Sequence, residues 1–269
     1  MNDLYMLNSE FVEIWPRCLI DANGSLEGRE FCHTEWILRD KKSGQFPYLL
    51  DLPGGLQATD IDCDDLTTER MRDIAQTFLE ARNQNVELAQ WNGTNTVANT
   101  HSLQQLADYA IDPDDYARAT GLPLTAEPSV LHFAGFDRYH RTLWLTRRTA
   151  QAWLTMQRAA AADDLILEAI SGFRSHFYQF GIFERKLARG LTIPEILNVN
   201  AAPGFSEHHA GIALDIGTPD EPPAEESFEK TPAFTWLSRH AHRFGFHLSY
   251  PRDNPHGITY EPWHWATRL

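Results

Sequence analysis

Two short stretches in the last quarter of the chain hold residue types that chemistry needs. In Ser206-Glu207-His208-His209-Ala210-Gly211-Ile212-Ala213-Leu214-Asp215, an imidazole and a carboxylate stand seven residues apart with small residues between them. Imidazole nitrogen and carboxylate oxygen are donors that suit Zn²⁺. Further on, Glu261-Pro262-Trp263-His264 adds a second carboxylate and a second imidazole three residues apart. His208, Asp215 and His264 supply three ligands, which leaves a fourth tetrahedral position for water, and Glu261 stays unbound beside it. That arithmetic describes a catalytic zinc site, because a structural site normally fills its fourth position with another protein group. Metal-assisted amide hydrolysis is the reaction class that follows. Zinc brings the pKa of a bound water to about 7, and a free carboxylate takes the proton and passes it to the leaving amine.

Each residue alone has a plainer reading as core or surface, and only the joint spacing turns the balance. His209 neighbours a ligand but points the other way on an extended backbone, which gives it a packing or orienting part. Ser206 either contacts substrate or caps the turn. Trp263 and Trp265 read as core or pocket wall.

The elements that must position these groups are legible in outline. Ile212, Leu214 and Ile216 alternate with Gly211, Ala213 and Asp215, so a strand here puts the branched residues on one face and aims Asp215 away from the core. Residues 165–170 form an apolar run suited to a buried strand, and residues 149–162 and 174–188 read as helices, the second ending at Gly190. Residues 234–244 predict a helix capped by Gly245, then a strand over 246–250 and an extended segment through 263–265. Helices packed on a small antiparallel sheet make an α+β domain. The two prolines of 121–128 mark a connection, which sets a catalytic domain at 126–269 and an N-terminal domain of unknown role at 1–125. This additional unit reads as α/β. It has strands over 11–20 and 31–38 about the turn Asp21-Ala22-Asn23-Gly24, a helix through Met71, Ile74, Phe78 and Leu79, and a second helix over 103–110. The acidic, proline-rich stretch 218–229 is a solvated loop, or a rim to the cleft, since it follows Asp215.

The 269 residues carry 23 basic against 37 acidic side chains, a formal charge of −14 that repels phosphate backbones and argues against nucleic-acid binding. No apolar stretch approaches the roughly 18–20 residues of a membrane helix. The N-terminus lacks a basic region, an apolar core and a small-residue cleavage site, so the expected compartment is the cytoplasm. Cys18, Cys32 and Cys63 are odd in number and form no disulfide framework. Cys32-His33 lacks the short Cys-x-x-Cys spacing of a structural zinc site.

Three motifs occur in a family's order. Ser171-Gly172-Phe173-Arg174-Ser175-x-x-x-Gln179, Ser206-x-His208-x-x-Gly211-x-Ala213-x-Asp215 and Glu261-x-x-His264 resemble those of VanY-type D-alanyl-D-alanine carboxypeptidases and related zinc peptidases of hedgehog-like fold, over roughly residues 128–269. The resemblance implies Zn²⁺ held by His208, Asp215 and His264, with Glu261 as general base. It also implies that Arg174 faces the scissile carbonyl and that Ser206 and Gln179 contact substrate, although Gln179 lies off Arg174's helical face by strict spacing. Arg174 either stabilises the developing oxyanion, an effect of roughly 10²–10³ in rate for one preorganised donor, or clamps a terminal carboxylate. The implied partners are peptidoglycan stem peptides or muropeptides. Removal of D-alanine by a D,D- or an L,D-carboxypeptidase is expected, the latter in cytoplasmic muropeptide recycling. The alternatives are an endopeptidase acting as endolysin or secreted antibacterial toxin, and a D-Ala-D-Ala dipeptidase. A non-catalytic zinc-binding module is disfavoured by the presence of Glu261.

Overall fold

In the computed structural model, which describes residues 4–20, 36–51, 55–84, 86–87 and 91–268, the chain divides into two units. One comprises Met1–Ala98 with Pro128–Leu131, the other Asn99–Glu127 with His132–Leu269. The division is not the 125/126 boundary expected from the sequence. Residues 121–126 do lack regular structure, but Leu106, Ile111 and Leu122 bury their side chains with Phe180, Phe183 and Phe205, which draws the stretch before residue 126 into the second unit.

Among the described residues the first unit carries the strands β1 (Tyr5–Asn8), β2 (Val12–Pro16), β3 (Trp36–Asp40), β4 (Tyr48–Asp51) and β5 (Gly55–Ala58), each antiparallel to the next. Helix Asp65–Asn83 starts where the Asp64 side chain accepts from the Thr67 amide at 2.7 Å, and it buries Met71, Ala75, Phe78 and Ala81. These side chains pack with Leu7, Ile14, Leu38 and Leu50 of the strands. Antiparallel pairing of β1 to β5, with the described helix following the last of them in sequence, corrects the α/β expectation, so the unit is α+β. The strand expected over 11–20 stops at Pro16, where a short 3-10 turn, Arg17–Leu19, takes over. The expected turn at 21–24, the first part of the strand over 31–38, and Cys32-His33 lie outside the described residues.

In the second unit, β6 (Val130–Phe136, whose first two residues belong to the first unit) pairs antiparallel with β7 (Thr142–Leu145). A four-stranded antiparallel sheet follows in the order β10 (Phe246–Leu248), β11 (His264–Thr267), β9 (Ala213–Gly217), β8 (Glu168–Ser171). Helices Arg147–Ala162, His176–Ala188 and Pro232–His240 occur where periodicity predicts them, the last giving way to a 3-10 turn before Gly245. Trp153, Met156, Leu214, Ile216, Phe246 and Trp265 form one buried cluster. Phe180, Phe183, Ile196, Phe205 and Tyr250 form a second. Each such side chain contributes about 1.5–3 kcal/mol when fully buried. Among the described residues no helix is long and apolar enough to cross a membrane.

Candidate active site

Strand register brings the distant ligand candidates together. Asp215 on β9 is the pairing partner of His264 on β11, and Ser171 at the end of β8 lies opposite Asp215 on its other side. Just before β9, the Ser206 hydroxyl accepts from the His208 amide at 3.3 Å and starts a 3-10 turn, Glu207–Ala210. Gly211 ends the turn with φ of 64°, a left-handed conformation that glycine adopts without steric cost. The tight turn followed at once by a strand delivers His208 to the same place as Asp215.

One ligand atom each from His208, Asp215 and His264 falls within 4.8 Å of the others, and all three residues are buried. His208 Nδ1 lies 2.7 Å from the Gly172 carbonyl, so this nitrogen carries the proton and donates. The opposite nitrogen, Nε2, is then a bare lone pair. It is buried with no hydrogen-bond partner among the described residues, 3.3 Å from Asp215 Oδ1. His264 Nδ1 lies 3.3 Å from the same Asp215 oxygen, and its Nε2 is held 2.9 Å from Glu207 Oε2. An orphaned imidazole lone pair facing a carboxylate oxygen and a second imidazole is a donor set that fits a divalent cation such as Zn²⁺.

Electrostatics in the metal-free protein follow from burial and these contacts. Burial, helped by the Arg174 charge, lowers the His208 pKa to about 4, so its ring is neutral and able to ligate. For His264 burial works the same way but is outweighed by hydrogen bonds to Asp215 and Glu207, which lift it to about 10. Burial would raise Asp215 and Glu207. Instead, the Arg174 guanidinium and the His264 hydrogen bond hold Asp215 well below the ordinary carboxylate range, and the His264 hydrogen bond takes Glu207 to about 2. Glu261 goes the other way, since burial and the nearby Asp215 charge push it up to about 7. Its Oε2 sits 3.8 Å from His264 Nδ1, and its backbone amide donates to the Tyr250 carbonyl at 3.0 Å.

The remaining candidates line the same cleft, a cavity of about 320 Å³. Arg174 Nη2 donates to Asp215 Oδ2 at 2.7 Å. Gln179 donates through Nε2 to the Ala201 carbonyl at 3.0 Å, and its buried Oε1 has no partner among the described residues. His209 is fully buried away from the ligands. Its Nδ1 donates to the Arg174 carbonyl at 2.7 Å and its Nε2 accepts from the Gly204 amide at 3.1 Å, which fixes the backbone of Arg174. Trp265 is core, whereas Trp263 is cleft wall. Of the loop over 218–229, Ala224 reaches the cleft while most of its neighbours are exposed. Glu207 was not singled out from sequence. Its position between two motif residues was visible, but its partner His264 lies 57 residues on.

The chain matches the family model for VanY, D-alanyl-D-alanine carboxypeptidase, over residues 142–267. It is 33% identical over 152 residues to a Bacillus subtilis protein named as the putative carboxypeptidase YodJ, which covers 53% of this chain and 55% of that relative. It is 30% identical over 144 residues to the bifunctional D-Ala-D-Ala dipeptidase and D-Ala-D-Ala carboxypeptidase VanXYC of Enterococcus gallinarum, covering 51% of this chain and 73% of the relative. Among solved structures, that of the LdcB LD-carboxypeptidase is 29% identical, covers 54% of this chain and 71% of its own, and superposes with a TM-score of 0.49.

Proposed function

Since the chain belongs to the VanY family of D-alanyl-D-alanine carboxypeptidases, we propose that it is a zinc-dependent carboxypeptidase removing C-terminal D-alanine from peptidoglycan-derived peptides. The observation that carries this reading is the convergence of His208, Asp215 and His264 with Glu261 beside them. We assign the four-stranded sheet and its helices to the hedgehog-like fold on the same ground.

His208, Asp215 and His264 would hold the metal. When bound, zinc supplies an acidified water and a Lewis acid for the scissile carbonyl. Glu261, whose carboxylate lies 3.8 Å from His264 Nδ1 beyond hydrogen-bond distance, accepts a proton from the attacking water and returns it to the departing amine nitrogen. Its burial in the cleft keeps bulk water from competing for that proton. Arg174 holds Asp215 in its ionised form and lends positive charge where the oxyanion develops. Gln179 Oε1, buried and unpartnered, accepts from a substrate N–H, and Ser206, which also caps the ligand turn, lines the cleft beside it.

Zinc-loaded protein incubated with defined penta- and tetrapeptides, with products read by mass, tests the proposal. Loss of one D-alanine from the pentapeptide is the D,D outcome. Loss from the tetrapeptide is the L,D outcome, which goes with soluble muropeptides in the cytoplasm. A metal-loaded protein that leaves both peptides intact would refute it.

A further inference from the structure

Apart from the imidazoles, Arg174 and Lys186 are the basic side chains lining the cleft among the described residues, and their circumstances differ. The Arg174 guanidinium is already paired with a carboxylate, its Nη2 at 2.7 Å from Asp215 Oδ2, while its Nε is buried with no hydrogen-bond partner among the described residues. Lys186 sits seven residues beyond Gln179 on helix His176–Ala188, two turns along the same face. Its ammonium donates to Asn200 Oδ1, a neutral acceptor, and among the described residues no carboxylate forms an ion pair with it. Burial depresses its pKa below the ordinary lysine range while the Glu261 charge works in the opposite sense. Val199, Asn200, Ile258 and Thr259 wall the cleft with it. A partly desolvated ammonium with one neutral partner is left short of counter-charge, a state that a carboxylate ligand relieves.

We propose that Lys186 is a specificity-determining residue whose ammonium receives a carboxylate of the peptide substrate. The proposal rests on the carboxypeptidase reading above. It separates two tasks in one cleft: Arg174 is committed to Asp215 and the reacting centre, and Lys186 selects the acidic peptide. The same chemistry can come from the C-terminal carboxylate or from a side-chain carboxylate on the residue preceding the D-alanines.

Three probes distinguish these sources: acetyl-Lys-D-Ala-D-Ala, its C-terminal carboxamide, and the analogue with diaminopimelate in place of Lys. Zinc-loaded wild type, Lys186→Met and Lys186→Arg are compared for kcat and KM. Equilibrium binding is measured separately by calorimetry in a Glu261→Gln background that suppresses turnover. Lys186→Met is expected to raise KM, and to weaken binding, by about tenfold or more, the usual scale for a charge-assisted hydrogen bond. Its kcat and melting temperature should hardly move, and Lys186→Arg should restore most of the loss. If the loss disappears with the carboxamide, the terminal carboxylate is the ligand. If it is confined to the diaminopimelate peptide, the side-chain carboxylate is. Normal cleavage with Lys186→Met binding every peptide as wild type does would overturn the proposal alone. Peptides that bind through Lys186 yet are never cut would overturn the carboxypeptidase reading and leave this one standing. Wild type that binds none of the peptides would overturn both.

Discussion

Glu207 and Glu261 face the same imidazole from its two nitrogens and are shifted in opposite directions. Glu207 lies 2.9 Å from His264 Nε2 and is held at about 2, whereas Glu261 lies 3.8 Å from Nδ1 and is pushed up to about 7. Environments that push two carboxyls apart suit separate tasks, which in the function proposed above are an orienting anion and a proton carrier. Glu261→Ala should therefore keep the metal, since the three ligands are intact, and lose about 10²–10⁴ in turnover. Metal content and D-alanine release measured on one sample check this, and retained turnover would remove Glu261 from the reaction. Glu207→Ala should instead weaken metal affinity by roughly 10–100-fold, as loss of a carboxylate behind a ligating imidazole does. Competition against a chromophoric chelator reads that factor. At this scale the sequence was informative where spacing carried the signal: His208, Asp215, Glu261 and His264 stand in a donor pattern that chance rarely supplies. It was silent about Glu207, because a carboxylate that serves another residue's ring is recognised only by the contact. Ser206 carried two readings, and the structure supports the cap, with its hydroxyl 3.3 Å from the His208 amide.

The elements were visible where periodicity or alternation ran long enough, and hidden where the chain used other means. Ile212, Leu214 and Ile216 announced β9 by alternation. Helix Pro113–Thr120 fully buries no residue and packs only Tyr116 and Ala117 on the core, too short an apolar face to read as periodicity; its ends mark it better, with Asp112 accepting from the Asp115 amide and Gly121 left-handed at φ of 68°. β6 was missed because Gly135 breaks it with φ of 101° and its pairing register shifts between Phe133 and Phe136. Gly172 shows how elements constrain chemistry. Its carbonyl fixes the His208 tautomer, and a Cβ there would meet Leu143 Cδ1 at 2.5 Å and the Trp144 carbonyl at 3.2 Å. Gly172→Ala should destabilise by about 1–3 kcal/mol through overpacking, read as a lower urea midpoint with an unchanged slope, and should loosen metal binding with it. The segment before residue 128 also acts at this scale. Buried Glu127 accepts the first amide of helix His176–Ala188 at 2.6 Å, and the His176 ring is bonded by Ser102 at 2.8 Å and packs 4.4 Å from the His209 ring. Glu127→Ala removes this buried acceptor and should cost about 1–3 kcal/mol by denaturant titration. The expected boundary at 125/126 would have cut through this network, since prolines signal a break in regular structure but not a break in packing.

For the molecule as a whole, folding gathers Asp215, Glu207 and Glu261 with Arg174, His208 and His264 in a buried cleft, where opposite charges in contact offset part of the desolvation cost. A ligand that binds only the folded arrangement adds stability by mass action, about 4 kcal/mol when its free concentration is a thousandfold above Kd. Stripping the metal should therefore lower the melting temperature, and added Zn²⁺ should restore it. The formal charge of −14 sets the control, because an acidic surface gathers divalent cations without any specific site. Asp215→Ala removes one ligand and the partner of Arg174 while changing that overall charge by a single unit. Its melting temperature should lie below that of the wild type and should no longer respond to chelator or to Zn²⁺. Scanning calorimetry of both proteins, each with chelator and with Zn²⁺, makes the comparison. An equal Zn²⁺ response in the two would mean that the cation acts on the acidic surface and that the three converging side chains do not hold it.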